Sequence, residues 1–451
     1  MVKSTNDKLL AVLITLLLVL PVSFLVSGES LVVSRQGDGF DSIQKAINKA
    51  SAGDVVHLEE GTYRENLILD EGIAIKGKGP EKVKIISKNK KEPVVLAGPS
   101  NAEIKLAGVA IKGSTGSTVS KCPDIDKGVC PVGLSATGEV SISVVNARIT
   151  VNAGILLQDS SRLSLVNSLV AKNGEKLKGN SNIFFAGIEL RNSSRAKLKD
   201  VEVIENHIGL LLSNSATAEI KKCRVSGSSR AGVWVANQAE ALFEESKFHN
   251  NEVGIHGFGG EIKLVGSKIS ENNLGVEFIA TKASMEDVSI TGNEVGGDLR
   301  RRSKVRLKGS TISANGRTGI KVFNSKVNLY NIAFVKNGFY GLQLFEGSAS
   351  LVKNSRFENN KSAGILLQKT SKARVVSSSF KEHGKAIQMA GSSRLELNKS
   401  KITNNETGIE ISIPDNFGGS LRGFGNIISD NDNNFSGVSK NKQGKLLTEQ
   451  E

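Results

Sequence analysis

Five residues with chemically capable side chains recur at nearly equal intervals in the middle of the chain. They are Trp234, His256, Glu277, Asp298 and Lys321, which follow one another after 22, 21, 21 and 23 residues. The indole could stack on a sugar ring, and the two carboxylates could act as a catalytic pair or share a Ca²⁺ ion. His256 or Lys321 could act as a base or neutralise a negative charge. An ordinary solvated strand face would show the same spacing, so both interpretations stand at this point.

Further candidates for ligand binding lie beside this series. Gln343 extends the series by one more step of 22 residues, and Arg300 and Arg302 begin shortly after Asp298. The two arginines belong to a basic run that comprises Arg300, Arg301, Arg302, Lys304, Arg306 and Lys308. This run could bind anionic sugars, or it could be exposed charge without a ligand.

A repeat of about 22 residues must position these side chains. A glycine, or once an alanine, opens each repeat at Gly187, Gly209, Gly232, Gly254, Gly275, Gly296, Gly319, Gly341, Gly364, Ala386 and Gly408. Each residue of the series from Trp234 to Gln343 is the second residue after such a position. This spacing predicts that the whole series lies on one outward face. The complete outward series is Glu189, Leu211, Trp234, His256, Glu277, Asp298, Lys321, Gln343, Leu366, Gln388 and Glu410.

Aligning the repeats shows three further columns. One apolar column contains Val203, Val225, Phe248, Ile269, Ile290, Ile312, Phe334, Phe357, Phe380 and Ile402. A second apolar column, five residues earlier in each repeat, runs from Leu198 to Leu397. A polar column, three residues after the first, contains Asn206, Ser228, Asn251, Asn272, Asn293, Asn315, Asn337, Asn360, His383 and Asn405.

These columns predict an all-β, single-stranded right-handed parallel β-helix. Apolar and polar residues alternate with period two between the turns, as they do in short strands that stack about 4.8 Å apart. A helical repeat would not alternate in this way, and a leucine-rich repeat would need a fixed LxxLxL pattern. Asparagine suits a tight turn because it tolerates left-handed backbone angles, and stacked asparagines can bond to one another.

The first coils and their cap can also be read from the sequence. The segment DSIQKAINKA predicts a short amphipathic capping helix with Asp41 as N-cap and Ile43, Ala46 and Ile47 on one face. Together with GDVVHLEEGTYRENLIL and GIAIKGKGPEKVKI, it resembles the opening of pectin-lyase-like β-helix proteins such as pectinesterases and NosD-like proteins. The text PDNFGGSLRGFGNIISDNDNNF resembles the last coil of bacterial surface β-helix proteins. The resemblance implies the fold and leaves the activity open.

The chain is predicted to contain five segments. Lys3 and Lys8 precede an uncharged run at residues 9–26, which is typical of a signal peptide, although the run is long enough to be an uncleaved anchor. A second insertion lies at roughly residues 174–185. The segments are a signal peptide or anchor at 1–28, the cap and first coils at 29–113, irregular coils with the loop CPDIDKGVC at 114–153, regular coils at 154–437 and a polar, disordered tail at 438–451.

The cysteines agree with export from the cytosol. Cys122 and Cys130 flank a polar loop that would close readily as a disulfide in an oxidising compartment. Cys223 lies in a column of small residues, which predicts a buried thiol. Three cysteines at these spacings lack the paired pattern of a structural zinc site. We therefore expect an extracellular, periplasmic or cell-surface protein that contacts a membrane only through its N-terminal segment.

The charge suggests the class of partner. The formal net charge is +14, which on an exported protein favours anionic glycan, teichoic acid or lipid head groups over nucleic acid. The alternative is that lysine-rich outer faces only keep a repeat protein soluble.

Three functions remain open at the level of sequence. The first is a noncatalytic exported β-helix that binds polysaccharide or acts as an envelope scaffold. The second is a polysaccharide lyase or hydrolase that acts on an acidic glycan, although the signature motifs of polygalacturonases, pectinesterases and alginate epimerases are missing. The third, implied only by the NosD-like resemblance, is an accessory protein of membrane transport or assembly. None of these requires a cofactor, and Glu277 with Asp298 leaves Ca²⁺ binding open.

Overall fold

The structure, a computed structural model, describes residues 28–89, 91–98, 101–113, 132–150, 153–173 and 186–447. The N-terminal apolar segment, the predicted Cys122–Cys130 disulfide and the insertion at residues 174–185 lie outside the described residues.

Each coil of the chain contributes one strand to each of three parallel sheets. Sheet A has 17 strands and sheets B and C have 16 each, so the chain winds through about 17 turns. The winding is right-handed and the described chain contains only two α-helices, which confirms the predicted fold class.

The strands are numbered in chain order. Sheet A contains β1 (Ser30–Val33), β2 (Val55–Leu58), β5 (Ala74–Gly77), β8 (Glu103–Ala107), β11 (Ser141–Val145), β14 (Arg162–Val166), β17 (Arg195–Lys199), β20 (Thr217–Lys221), β23 (Glu240–Glu244), β26 (Glu261–Val265), β29 (Lys282–Glu286), β32 (Lys304–Lys308), β35 (Lys326–Tyr330), β38 (Ala349–Lys353), β41 (Lys372–Val376), β44 (Arg394–Asn398) and β47 (Ser420–Phe424). Sheet B contains β3 (Gly61–Arg64), β6 (Val83–Ile86), β9 (Ala110–Lys112), β12 (Arg148–Thr150), β15 (Leu169–Ala171), β18 (Glu202–Ile204), β21 (Arg224–Ser226), β24 (Lys247–His249), β27 (Lys268–Ser270), β30 (Ser289–Thr291), β33 (Thr311–Ser313), β36 (Ala333–Val335), β39 (Arg356–Glu358), β42 (Ser379–Lys381), β45 (Lys401–Ile402) and β48 (Ile427–Ile428). Sheet C contains β4 (Leu67–Leu69), β7 (Val95–Ala97), β10 (Val132–Ala136), β13 (Ala153–Leu157), β16 (Ala186–Leu190), β19 (Ile208–Leu212), β22 (Ala231–Ala236), β25 (Val253–Phe258), β28 (Leu274–Ile279), β31 (Val295–Arg300), β34 (Ile320–Phe323), β37 (Tyr340–Phe345), β40 (Ala363–Leu367), β43 (Lys385–Met389), β46 (Thr407–Ile411) and β49 (Asn433–Ser436).

The core is a stack of thin apolar layers, one layer per coil. Phe334, Phe357 and Phe380 lie face to face in the predicted apolar column, with ring centroids 4.8 and 4.7 Å apart. All three are fully buried. Because each side chain packs mainly against its counterparts in the coils above and below, register between coils and core packing are the same constraint.

A buried amide ladder follows the turn between sheets B and C. The backbone N–H and the side-chain Nδ2 of Asn272 both donate to Oδ1 of Asn293, at 3.0 and 2.9 Å. Nδ2 of Asn293 in turn donates to Oδ1 of Asn315 at 3.0 Å and to the Ile269 carbonyl at 3.2 Å. The ladder therefore satisfies buried polar groups in successive coils, and the predicted asparagine stacking is confirmed.

The left-handed residue of this turn is not the asparagine. Positive φ angles occur at the residue before it, for example 54° at Asn250, 58° at Glu271 and 55° at Lys336. The prediction that the Asn column supplies the left-handed conformation is therefore wrong. The asparagine is required for its buried amide, and its exposed predecessor takes the strained backbone angle.

Hydroxyl groups form equivalent ladders at the other two turns. Between sheets A and B, the backbone N–H of Cys223 donates to Ser246 Oγ, and the N–H of Ser246 donates to Ser267 Oγ, at 3.1 and 3.2 Å. Between sheets C and A, the N–H of Thr281 donates to Ser303 Oγ at 3.1 Å. Cys223 is 2% exposed and burial raises its thiol pKa to about 11, which confirms the predicted buried thiol.

The helix α1 (Ile43–Lys49) covers the first coil. Its apolar face is made by Ile43, Ala46 and Ile47, all of which are buried as predicted. The N-cap is Ser42 rather than the predicted Asp41, because the Ser42 side chain accepts from the backbone N–H of Lys45. The exposed Asp41 forms an ion pair with Lys45 at 3.0 Å instead.

The N-terminus of α1 is fixed to the solenoid by one carboxylate. Glu65 accepts hydrogen bonds from the backbone N–H groups of Ile43 and Gln44, both at 3.0 Å, and from Ser42 Oγ at 2.7 Å. A negative charge at this end of a helix is stabilising, because it satisfies free N–H groups and complements the helix dipole.

The C-terminal end is covered by a second helix, α2 (Lys440–Leu447), which follows a short 3₁₀ turn at Pro414–Asn416 and the last strands. Leu446 is fully buried, and its carbonyl accepts from Asn426 Nδ2 at 2.8 Å. The prediction of a disordered tail is therefore wrong for residues 438–447, because a single buried leucine among polar residues gives no periodic signal. Neither helix in the described residues is long and apolar enough to cross a membrane.

Regular coils also begin earlier than predicted. The described residues 132–150, assigned above to irregular coils, form the in-register strands β10, β11 and β12.

The amide ladder makes a testable prediction. Asn293→Ala should lower the free energy of unfolding by about 2 kcal/mol or more, because it leaves the buried N–H of Asn272 without a partner and removes the bonds from Asn293 Nδ2 to Asn315 and to the Ile269 carbonyl. Denaturant unfolding measures this change. Asn273→Ala is the matched control, because the exposed Asn273 side chain bonds only to Glu252 among the described residues, and it should change stability by less than about 0.5 kcal/mol. Equal effects of the two substitutions would contradict the structural role of the ladder.

His383 interrupts the ladder and predicts a pH dependence. Its Nδ1 accepts from the backbone N–H of Asn360, its Nε2 has no partner among the described residues, and burial lowers its pKa to about 4. The unfolded chain, in which a histidine has a pKa near 6.5, therefore binds the proton more readily. Stability should then fall as the pH drops from about 6.5 towards 4, by up to about 1.4 kcal/mol per pH unit.

The variant His383→Asn restores an amide to the ladder and removes this titration. Its free energy of unfolding should exceed that of the wild type by a larger margin at pH 5 than at pH 7.5. Parallel pH profiles for the two proteins would show that His383 is not the acid-sensitive group.

Candidate functional site

The predicted outward series forms one column on sheet C. Each of its members pairs in register with the next: Trp234 with His256, His256 with Glu277, Glu277 with Asp298, Asp298 with Lys321, and Lys321 with Gln343. Neighbouring members are therefore about one strand spacing, or about 4.8 Å, apart along the solenoid axis. We call this set, from Trp234 to Gln343, the polar column.

A second outward column lies two residues further along each strand and was missed at the level of sequence. It contains Ala236, Phe258, Ile279, Arg300, Phe323 and Phe345. Phe258 and Phe323 keep 43% and 41% of their surface exposed. Large apolar side chains that stay exposed beside a polar column are typical of ligand-binding surfaces. We call this set the apolar column.

Aromatic contacts hold Trp234 in place at one end of the polar column. The ring of His256 meets it edge to face, with centroids 4.5 Å apart. The guanidinium of Arg230 lies 4.7 Å from the indole centroid on the preceding turn. The indole is thus oriented by a cation–π contact and an aromatic contact while it remains partly exposed.

His256 and Glu277 form a bonded pair. The imidazole Nδ1 lies 2.8 Å from Glu277 Oε2, with both side chains largely shielded from solvent. The hydrogen bond from His256 lowers the pKa of Glu277, against the opposing effect of partial burial. Glu277 is therefore ionised at neutral pH, and it fixes the orientation of the imidazole, as an acid–base histidine requires.

Asp298 is bound by an arginine of the apolar column. Arg300 Nε and Nη2 donate to the two oxygens of Asp298 at 2.9 and 2.6 Å, in a bidentate pair. This hydrogen bonding raises the pKa of Arg300, and the charge of Glu277 adds to the effect. Asp298 is 8% exposed and lies on a strand surface, with its charge compensated.

The calcium site suggested for Glu277 and Asp298 stays a prediction. Each carboxylate already has a partner, His256 for one and Arg300 for the other. Within the part of the chain that the structure describes, no group of three or more His, Cys, Asp or Glu side chains is arranged to hold a metal ion.

Lys321 and Gln343 end the polar column without protein partners. No hydrogen bond or ion pair involves either side chain in the described residues, although Gln343 is only 8% exposed. The amide atoms of Gln343 are not among the fully buried side-chain atoms that lack a partner, so they remain accessible to water or a ligand. These two residues therefore offer an ammonium group and a hydrogen-bonding amide to a ligand on sheet C.

The basic run is divided between faces of the solenoid. Arg300 lies in the apolar column of sheet C, whereas Arg302 is exposed in the turn that leads to sheet A, with a φ of 66°. Arg302 therefore does not join the other candidates on sheet C. The sequence does not show at which of the three consecutive arginines strand β31 ends. It therefore could not predict that Arg302 lies in the turn rather than on sheet C.

Similar carboxylate pairs occur at both ends of the outward series. Glu189 is bound by Arg191 Nε at 2.6 Å, and burial raises the pKa of Glu189. Glu410 accepts from Gln388 Nε2 at 2.9 Å and from Ser412 Oγ at 2.7 Å. Carboxylates on this face are thus regularly satisfied by the residue two positions later or by the preceding coil.

The bidentate pair predicts an asymmetric mutational effect. Arg300→Ala should lower the free energy of unfolding by about 1–2 kcal/mol, because it leaves the nearly buried Asp298 without its counter-charge. Adding Asp298→Asn to that variant should recover most of the loss, as measured by denaturant unfolding. Arg301→Ala is the control, since that side chain is exposed, and it should change stability by less than about 0.5 kcal/mol. Failure of Asp298→Asn to rescue the variant would show that the pair is not the cause.

Comparison with known proteins identifies solved structures of similar shape. The A-module of the mannuronan C-5 epimerase AlgE4 from Azotobacter vinelandii is 16% identical, and the match covers 68% of this chain and 94% of that chain with a TM-score of 0.52. The periplasmic alginate epimerase AlgG is 13% identical over 79% of this chain and 80% of its own, with a TM-score of 0.42. The pectin methylesterase PemA from Erwinia chrysanthemi is 11% identical over 56% and 80%, with a TM-score of 0.31. At 16% identity the likeness to the AlgE4 A-module shows the fold alone.

Among curated proteins no sequence match was found. The family profile of the right-handed β-helix region, however, matches residues 186–297 and 285–447. Together these stretches make up more than half of the chain and include both columns of sheet C. The chain therefore belongs to the right-handed β-helix family.

Proposed function

We propose that this protein binds a linear acidic polysaccharide along the outer face of sheet C, with the glycan parallel to the solenoid axis. The observation that carries the proposal is the polar column itself, which presents one ligand-capable side chain per coil from Trp234 to Gln343. A polymer of repeating sugars is the kind of ligand that a surface of repeating groups can contact at several successive positions.

The apolar groups on this face suit sugar rings. Trp234 is held with its indole partly exposed, and Phe258 and Phe323 expose their rings on the neighbouring column. Aromatic faces bury the C–H surfaces of sugars without requiring a fixed hydrogen-bonding pattern. The two phenylalanines lie three coils apart, about 14 Å at the spacing of parallel strands, which favours an extended ligand over a single sugar.

The charges on this face suit an acidic ligand. Arg300 neutralises Asp298 and His256 is hydrogen-bonded to Glu277, whereas the Lys321 ammonium has no acidic partner in the described residues. An added carboxylate would therefore meet Lys321 and the free edge of Arg300. Gln343 would supply a hydrogen bond beside Lys321.

The fold similarity supports the same class of ligand. The A-module of AlgE4 is, by its name, part of an enzyme that acts on mannuronan, and it shares this fold over most of its length. For the present chain, binding to an acidic glycan stays a proposal. We also propose that it acts outside the cytosol, where such polymers occur, as an exported or envelope protein.

A second candidate function is proton transfer on the bound acidic sugar. It is favoured by the His256–Glu277 pair, in which a carboxylate orients an imidazole, and by Arg300, whose charge contributes to the lowered pKa of Glu277. In that case His256 would act as the base, and Arg300 would stabilise negative charge on the sugar carboxylate.

The binding proposal predicts affinity for short acidic oligosaccharides. Tetramers and hexamers of mannuronate, guluronate and galacturonate should change the fluorescence of Trp234, the only tryptophan in the chain, and a neutral glucose oligomer should not. By calorimetry, Lys321→Ala and Trp234→Ala should each weaken binding at least about tenfold, the effect expected for a central contact. Lys268→Ala, an exposed lysine on sheet B, is the matched control and should bind like the wild type.

The results of these experiments distinguish a noncatalytic binding protein from an enzyme. Absence of binding to every acidic oligomer, or equal effects of Lys321→Ala and Lys268→Ala, would overturn the proposal. Conversion of the oligomers into epimerised, unsaturated or shortened products, detected by NMR and abolished by His256→Gln, would establish the enzyme instead of the noncatalytic binding protein.

A further inference from the structure

We propose that a second polyanion-binding surface lies on sheet A and on the corner between sheets C and A, separate from the sheet C face. It consists of Arg301, Arg302, Lys304, Arg306 and Lys326, which we call the basic corner. Its occupant is a linear acidic polysaccharide with one carboxylate on each sugar, bound as a long polymer rather than as a short oligomer.

Three lysines form a stack of like charges on sheet A. Lys282, Lys304 and Lys326 pair in register on β29, β32 and β35. Their outward side chains are thus about 4.8 Å apart along the axis. Like charges placed directly opposite each other on neighbouring strands are destabilising, so such a stack has a cost that an anionic ligand would remove.

Other lysines on the same sheet are balanced. Lys197 faces Glu219 and Lys221 faces Glu244, each at 3.2 Å, and Lys308 faces Glu286 at 2.6 Å. Within the stack itself, Lys282 pairs with Glu261 at 2.9 Å. Lys304 and Lys326 are different, since no ion pair involves either of them in the described residues.

Arginines extend the unbalanced charge on two sides of these lysines. Arg301 and Arg302 are exposed in the turn just before Lys304, and neither has an acidic partner in the part of the chain that the structure describes. On the other side, the guanidinium of Arg306 lies 4.7 Å over the ring of Tyr330. That contact fixes Arg306 on the surface while its donors remain available.

The charge spacing indicates the kind of occupant. Cationic groups repeat at the coil interval along the solenoid axis, which suits a flexible chain with one carboxylate per successive sugar. The aromatic ring of Tyr330, which contacts Arg306 and lies in register with Lys308, suits a sugar ring beside these charges. Because the basic corner faces away from the polar column, one polymer segment can lie on sheet C while another lies on sheet A.

A comparable lysine pair on sheet B provides the matched control. Lys247 and Lys268 also pair in register and are exposed, but the neighbouring Arg224 is already bonded to His249 at 2.9 Å and lies near Glu202 at 3.6 Å. The sheet B pair thus has the same stacking of lysines without free arginines beside it.

The experiment measures binding of the full-length protein to immobilised polygalacturonate and polymannuronate at several salt concentrations. Arg302→Ser/Lys304→Ser/Lys326→Ser should weaken polymer binding at least tenfold and reduce its salt dependence, because fewer charges are screened. Lys247→Ser/Lys268→Ser should change affinity less than twofold. All substituted residues are exposed, so the variants should fold like the wild type, which circular dichroism would check.

The two binding surfaces can be tested separately. The basic-corner variant should keep the Trp234 fluorescence response to short oligomers, so its failure is distinguishable from failure of the sheet C proposal. Unchanged polymer affinity, or an equal loss in the sheet B variant, would overturn the inference. Tighter binding to duplex DNA or to vesicles of anionic phospholipid than to either polymer would also overturn it, because the occupant would then be of another class.

Discussion

In-register pairing between successive coils is the constraint on which the rest of this structure depends. Every strand bonds to its counterparts one coil before and one coil after it, so each residue lies over its equivalent at the spacing of parallel strands. Such register would be weak without specific polar contacts at the turns. The asparagine and hydroxyl ladders provide them, since each rung bonds to the equivalent position of the next coil.

In-register pairing also brings the residues of the candidate site together. The outward side chains of sheet C are brought together from residues 21 to 23 positions apart, without any loop having to position them. A rigid strand surface gives His256, Glu277 and Asp298 fixed neighbours, and it makes the column longer than any single sugar. The free-energy cost of an extended charged face is reduced because its carboxylates are paired within the face, as the contact between Asp298 and Arg300 shows.

The sequence predicts features that follow from the repeat and misses those that follow from local geometry. The fold class, the apolar columns, the in-register polar column and the buried face of α1 could all be read from spacing, because period and register are linear properties of the chain. The bond between Asp298 and Arg300, the N-cap at Ser42 and the left-handed predecessor of each asparagine could not, because they depend on backbone angles at single turns. The helix α2 was missed for another reason: its burial rests mainly on Leu446.

The central claim is that an acidic glycan lies along the polar column of sheet C, and a crystal structure with a bound hexauronate tests it most directly. We predict that sugar rings lie over Trp234 and Phe323, that a carboxylate contacts Lys321, and that the glycan axis is parallel to the solenoid axis. A glycan bound across the strands, bound only at another face, or absent from crystals that contain it at saturating concentration would contradict the account.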